Sequence, residues 1–439
     1  MKKIIVIAAT VVILLQATVV FAAGSKDQNE IRLGAVVCSE GAYAAVGVPY
    51  GTFYKFFIDY INQAPEYRDI LGGKTLRYII YDDKGDGAAG KSLIERLIYD
   101  DKVDTLVGIL GTWNLVAAKS VLETSGIPAV YFGTGSSAQI YEPAEGNQRY
   151  MMGVQPNYNT EGRLMYLRAV TALGKVNSIG VVYSTADDGI SFKAGIETQA
   201  ARDTRSDKPQ ILYQSISSQD AAAITSQITA LQNCDVIIAA GNQAYFKAVY
   251  SAAYANSIAR PKPIITTYAN ASSSIIPPEA INPGAAEIYS ASWVVLQEQD
   301  MQSPEAIRRQ KDTAEYVKVI DWAVTTGRLP ASQKQAYYLN AFSTSSFIAV
   351  KMFLTGLERL RESGKEFSAA NYLEAMESKR CPVALSGGVN YANGLRIGLD
   401  SLSFVKYQKP ASGNDPATGF FTEVAPMASI DELTQKLSN

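Results

Sequence analysis

The chain has 439 residues, 47% of them hydrophobic and 19% charged, with a net charge of −2 and no histidine. Without histidine, Ser-His-Asp and Cys-His catalysis, most catalytic zinc sites and histidine-ligated haem are excluded. The mild acidity, with no basic block, argues against nucleic acid and anionic membrane surfaces as partners.

The chain opens with Lys2-Lys3, an apolar run from Ile4 to Phe21, and Val20-Phe21-Ala22 before Ala23. A charged start, an apolar middle and a small-x-small end read as a secretory signal cleaved near Ala22. A retained membrane helix is the alternative; the polar Gly24-Ser25-Lys26-Asp27 that follows favours cleavage. Cys38 lies too far from the apolar run to carry a lipid. Removing residues 1–22 leaves 417 residues (439 − 22) and two fewer lysines, so the net charge becomes −4. A chain of that length suggests two domains. Its three cysteines, Cys38, Cys234 and Cys381, are an odd set in a chain large enough to need no disulfide framework. All three are expected as buried small hydrophobes. The 26 tyrosines against 14 phenylalanines suit a wet binding cleft, because tyrosine joins a flat face to a polar tip.

Strand-like and helical runs then alternate. Ile31–Val37 is strand-like, and 48–62 is helical with Tyr50, Phe53, Tyr54, Phe57 and Ile61 on one stripe. Strands at 76–81, 105–110 and 129–132 alternate with helices at 90–99 and 115–123. After Val154 the alternation resumes, with strands at 178–183, 211–215, 235–240, 263–267 and 287–295 and helices at 190–201, 221–231 and 243–255. Helices follow at 304–325, 338–360 and 368–378, then a β segment from Gly387 to Tyr407. This is the pattern of βαβ units in two α/β halves.

Most motifs fail on inspection. No nucleophile elbow and no Walker A loop is present. Gly85-Asp86-Gly87-Ala88-Ala89-Gly90 matches G-x-G-x-x-G, but Asp82, Asp83 and Asp86 would repel a pyrophosphate. The same stretch fails as a calcium loop, because Leu93 stands where a bidentate Glu is needed. A polar turn capping the following helix fits better. More telling are two loops at strand ends, Gly111-Thr112-Trp113-Asn114 and Gly133-Thr134-Gly135-Ser136-Ser137. Each combines bare backbone N–H groups with hydroxyls where parallel α/β sheets hold small ligands, and such groups suit a carboxylate. Loops rich in Gly and Ser are also ordinary turns, and both readings stand at this point.

The order and spacing of these stretches resemble the periplasmic substrate-binding proteins of ABC importers for branched-chain amino acids, the type I periplasmic-binding fold. The family's opening is similar to Gly34–Gly47, its strand-end acids to Tyr81-Asp82-Asp83, its first loop to Gly108–Asn114, its second to Pro128–Ser136, and its lobe crossing to Met152–Gly162. The resemblance implies two Rossmann-like lobes joined by three hinge crossings, near Val154, Val294 and Ser386. Lobe 1 would comprise 23–153 and 295–386, and lobe 2 154–294 and 387–439. It implies ligand capture by hinge closure in the periplasm and delivery to an ABC permease and its ATPase, by a monomer without cofactor. It places Thr112, Trp113, Asn114, Thr134, Gly135 and Ser136 on the first lobe's side of the ligand, with Tyr43 as a wall. From the second lobe it brings Tyr158, Asp188, Asn242 and Tyr268.

Amino-acid binders of the family set acids against the ligand ammonium just after the first crossing and after a second-lobe strand. Here those places read Tyr158 and Tyr268-Ala269-Asn270, and Asp188 stands in for a family aromatic. An ammonium buried without a carboxylate is costly. The expected ligand is therefore a small carboxylate-bearing compound, an amino acid or, by preference, an aromatic or aliphatic organic acid packed against Trp113 and Tyr158. A sensory protein acting through a membrane partner is an alternative, as is an exported enzyme using carboxylates. The adjacent Asp187 and Asp188 diverge along the chain and make a poor glycosidase pair.

Overall fold

The computed structural model describes residues 29–136, 143–256, 262–272, 275–296, 302–411 and 415–438; the expected signal at 1–22 and Ser137 lie outside the described residues. Strands β1 (Glu30–Val37), β2 (Thr75–Asp82), β3 (Thr105–Leu110), β4 (Ala129–Gly133) and β5 (Met151–Met152) form a parallel five-stranded sheet in the order β2-β1-β3-β4-β5. β3 is buried at every position and apolar from Leu106 to Leu110, with Thr105 donating to Pro128 O at 2.9 Å, as both faces of a parallel sheet are covered. The covering helices of this first lobe are α1 (Ala44–Gln63), α2 (Gly87–Tyr99) and α3 (Thr112–Ser125).

The chain then builds a second sheet. α4 (Tyr158–Ala172), β6 (Ser178–Ser184), α5 (Asp187–Arg202), β7 (Gln210–Ile216), α6 (Thr225–Ala230), β8 (Val236–Ala240), α7 (Ala244–Ala255), β9 (Ile264–Thr267) and β10 (Ile288–Ser292) follow in turn. The rest of the chain returns to complete both sheets' lobes. α8 (Pro304–Thr325), α9 (Lys334–Tyr338), α10 (Ala341–Glu362) and α11 (Ala369–Glu377) come first. Phe53 of α1 stacks on Tyr316 of α8 at 5.1 Å, and Phe57 on Phe347 of α10 at 4.9 Å, so these helices belong to the first lobe's core. A short antiparallel pair, β11 (Cys381–Pro382) and β12 (Gly388–Val389), precedes β13 (Ser401–Gln408), β14 (Phe420–Ser429) and α12 (Ile430–Ser438). β13 and β14 join the second sheet antiparallel, giving seven strands in the order β14-β13-β10-β9-β8-β6-β7. The two-lobe α/β architecture is that expected.

The local differences have local causes. α2, α3 and α5 each start three residues before the apolar stripe does, at Gly87, Thr112 and Asp187. Their first turns sit at loop ends and pack no stripe. α2 is capped by Asp86, whose carboxylate accepts from Ala89 N at 2.8 Å, the polar-turn reading of that stretch. The single helix expected over 338–360 breaks at Leu339-Asn340, because the Asn340 side chain accepts from the Phe342 and Ser343 amides and starts a new helix. The helix expected at 221–231 begins as a 3-10 turn over Ala222–Ile224. Within the β segment expected from Gly387 to Tyr407 only the ends are strand. Between them the buried Arg396 holds irregular backbone, donating to the Arg149 and Tyr391 carbonyls and to Glu377. Cys38, Cys234 and Cys381 are buried and unpaired. Among the described residues no helix is long and apolar enough to cross a membrane.

Candidate functional site

Strand order in β2-β1-β3-β4-β5 reverses between β1 and β3. The same reversal occurs in β7-β6-β8-β9-β10, between β6 and β8. In open parallel sheets ligands bind outside the carboxyl ends of the strands at such switch points. Here the two switch points open onto one shared cleft of about 420 Å³, a volume suited to a small molecule. Its first wall comes from the residues after β1 and β3, its second from those after β6 and β8.

On the first wall Trp113 stacks against Tyr43, ring centroids 4.4 Å apart and planes 24° apart. The Trp113 indole N–H donates to Asp83 Oδ2 at 3.0 Å. Asp83 is 1% exposed and also accepts from the Asn114 side chain and, at 2.6 Å, from Gly85 N. Burial raises its carboxyl above the ordinary range, and these donors pull the other way. Gly111 has φ of +97°, and a Cβ there would meet the Trp113 ring at 2.4 Å. Only glycine lets the indole fold back over its own loop. The Thr112 and Thr134 hydroxyls lie 2.6 Å apart, and Thr134 reaches the Tyr158 hydroxyl at 3.3 Å.

Six helix N-termini reach the cleft, those of α1, α3, α4, α5, α7 and α10. α5 carries Asp187 and Asp188 in its first turn and α4 carries Glu161. α3 and α7 carry no acid there and no side-chain cap. Helix N-termini present unsatisfied N–H groups and partial positive charge. α1, α3 and α7 therefore bring N-termini without a first-turn acid or side-chain cap to the cleft, the start of α7 being met by the Asp188 carboxylate at Asn242 N.

On the second wall Asp188 is engaged by its own lobe: Ser184 Oγ donates to one oxygen at 2.9 Å and Asn242 N to the other at 3.1 Å. Asn242 in turn accepts from the Thr267 hydroxyl at 3.0 Å. Tyr268 packs its ring on Trp293, centroids 4.7 Å apart. Its hydroxyl lies 2.6 Å from that of Thr344, and its amide donates to Glu161 Oε1 at 2.9 Å. Burial pushes the Glu161 carboxyl up to about 8.

Of the residues expected in the site, Tyr43, Thr112, Trp113, Tyr158, Asp188, Asn242 and Tyr268 line the cleft. Asn114, Thr134, Gly135 and Ser136 stand behind its wall. Asn114 is fully buried, donating to Asp83 and to Leu110 O. Thr134 accepts from Ser136 N at 3.1 Å, so that amide is spent within the loop. Gly135 O accepts from Tyr158 N at 2.6 Å, and Ser136 Oγ donates to Asp187 Oδ2 at 2.6 Å. These last two bonds tie one lobe to the other. Tyr158 both lines the cleft and packs the crossing, its ring 4.7 Å from Phe192. The sequence reading passed over Glu161, Tyr245, Lys247, Trp293 and Phe342, which also line the cleft. Glu161 had a signal: it lies three residues after Tyr158, on the same helix face.

A family model described as "Periplasmic binding protein" matches residues 30–394. The chain belongs to this family. Similar solved structures span both lobes. A branched chain amino acid ABC transporter from Thermus thermophilus with bound valine is 14% identical with a TM-score of 0.70, covering 93% of this chain and 99% of that one. An ABC transporter substrate-binding protein from Sphaerobacter thermophilus is 15% identical with a TM-score of 0.69, covering 91% and 98%. A fatty acid ABC transporter substrate-binding protein from Thermomonospora curvata is 16% identical with a TM-score of 0.66, covering 93% and 94%. No curated protein matches the chain. The periplasmic binding family and these structures are binding proteins rather than enzymes, and this member shares their fold.

Proposed function

We propose that this periplasmic binding protein is the extracytoplasmic solute receptor of an ABC importer, and that it captures a small carboxylate-bearing ligand between its lobes. The observation that carries this reading is the convergence on one cleft of the N-termini of α3 and α7, neither with an acid in its first turn nor a side-chain cap. The Thr112 hydroxyl adds a donor beside the α3 pole, and Trp113, Tyr43 and Tyr158 offer flat apolar faces to the ligand body. Two relatives point the same way: one holds valine and another is named for fatty acids, and both ligands carry a carboxylate. In this reading the protein works as a monomer with a permease and its ATPase, after cleavage near Ala22.

The lobes are taken as 23–153 with 295–386, and 154–294 with 387–439. Hydrogen bonds favour moving the third boundary from Ser386 to near Leu399. Tyr391 donates to Gly153 O and Gly394 O accepts from Ala144 N, whereas Leu399 N donates to Val154 O beside the first crossing.

The test is thermal-shift screening of the protein from Ala23 against amino acids, aliphatic and aromatic acids, and the matching primary amides. A tight ligand in large excess adds a few kcal/mol of stability by mass action. Carboxylates should raise the melting temperature, their amides should not, and Trp113→Ala should abolish the response. A shift with amides alone would overturn the reading.

A further inference from the structure

Beside the cleft lies a second, smaller cavity of about 60 Å³. Tyr268 lines both and forms the partition between them. The partition is held in place: the Tyr268 hydroxyl lies 2.6 Å from that of Thr344 and 3.0 Å from Ala341 O. The rest of the wall comes from the start of α10, from the crossing at Val294, Val295 and Leu296, and from Val405 and Phe421 of β13 and β14. Both lobes therefore contribute to it. These side chains are mainly apolar, and they favour an apolar guest.

Several polar groups of the wall are already engaged. The Ser292 hydroxyl donates to Val294 O at 2.7 Å, and the Tyr407 hydroxyl to Pro416 O at 2.7 Å. Asn340 is engaged at one end only. It is 5% exposed, and its Oδ1 caps α10 by accepting from Phe342 N at 2.9 Å and Ser343 N at 3.3 Å. Those two bonds fix which end of the carboxamide is nitrogen. Asn340 Nδ2 makes no hydrogen bond among the described residues, and Asn340 lines the cavity. A buried N–H without an acceptor is costly, so an acceptor placed in the cavity is favoured. Glu423 is the one charged side chain among the described residues of the wall, and an acid there disfavours an anion. One water needs ~10–15 Å³ of such a cavity, so the space suits a guest of about four to six non-hydrogen atoms.

We propose that this cavity is a second binding site, distinct from the cleft, for a small neutral carbonyl compound whose oxygen accepts from Asn340 Nδ2 and whose apolar body fills the space beside Tyr268. The two sites divide by charge: helix N-termini without first-turn acids serve the cleft, and an acid stands in the wall of the second cavity. The proposal does not depend on the carboxylate reading above.

The experiment is saturation-transfer NMR of the protein from Ala23 with 2-butanone as the probe. Wild type should bind it saturably with a dissociation constant in the millimolar range. Asn340→Asp keeps the capping oxygen and removes the donor, and it should weaken binding about fivefold or more. Ala271→Leu, at another residue of the wall, puts a branched side chain into the space and should abolish the saturable signal. Neither residue lines the cleft. Absence of saturable binding by the wild type at millimolar concentrations overturns the proposal. Unchanged affinity in either variant overturns it as well, because the probe then sits elsewhere or does not use this donor. Should Asn340→Asp fold poorly, Ala271→Leu leaves the cap intact and decides alone.

Discussion

At the scale of single residues, buried acids organise the cleft. Asp83 anchors the Trp113 indole and the Asn114 amide from beneath, so the aromatic wall is set by a buried residue that does not itself line the cleft. Glu161 leaves a signature in stability. Its carboxyl is pushed from an ordinary 4.5 to about 8 in the folded state. Between those values the native protein holds a proton that the unfolded chain has lost. The stability it contributes is complete below about 4.5 and is lost as the pH rises through about 8. At 1.36 kcal/mol per unit the full effect is on the order of 5 kcal/mol. Chemical denaturation of the ligand-free protein should therefore find Glu161→Gln gaining on the parent from pH 5 to pH 8. A constant difference over that window would contradict a protonated Glu161.

Among the elements, the contact of α4 with α5 positions two of the helix N-termini at the cleft. The helices meet backbone to backbone: a Cβ on Gly162 would lie 2.2 Å from Phe192 O, and one on Gly195 would lie 2.1 Å from Asn159 O. Neither clash can be relieved by moving a side chain, so the helices must separate. Gly195→Ala should cost about 1–3 kcal/mol and displace Tyr158, Glu161 and Asp188 together. The expected readouts are a lower denaturation midpoint and a weaker ligand response. Parent-like stability would mean the helices tolerate separation. A first-turn helix residue thus reports on packing a turn away, and for the same reason helix starts were misplaced by three residues at α2, α3 and α5. Apolar periodicity marks where a helix meets the core, not where its backbone begins.

For the whole molecule, the lobes are bonded to each other directly. Ser136 donates to Asp187, Tyr158 N to Gly135 O, and the Thr134 and Tyr158 hydroxyls meet across the same seam. Contacts that exist only when the lobes approach bias a hinge toward its closed form. Ser136→Ala should therefore enlarge the radius of gyration of the ligand-free protein in solution scattering. It should also weaken ligand binding about two- to tenfold by lowering the closed population, with ligand restoring the compact profile. Identical scattering and affinity would remove Ser136 from closure.

While Tyr43, Asp188, Asn242 and Tyr268 came only with the family resemblance, the sequence alone determined that resemblance, the α/β class, the doubling into two halves and the small-residue loops after β3 and β4. These follow from local signals: buried strands are continuously apolar, helices are striped, and small-residue loops fall between them. Which side of each loop faces the cleft was decided only by tertiary structure. Asn114 turns inward because Asp83, 31 residues away, receives it. Ser136 is drawn to Asp187, 51 residues on, across the lobe seam. Glu161 becomes a cleft-floor acid because the Tyr268 amide, 107 residues on, fixes one oxygen and surrounding side chains exclude water. Residue type and local spacing carry no record of such distant partners. The sequence could therefore name loops near the cleft, while the fold assigned each side chain to the cleft surface, to the wall behind it, or to a contact with the other sheet's elements.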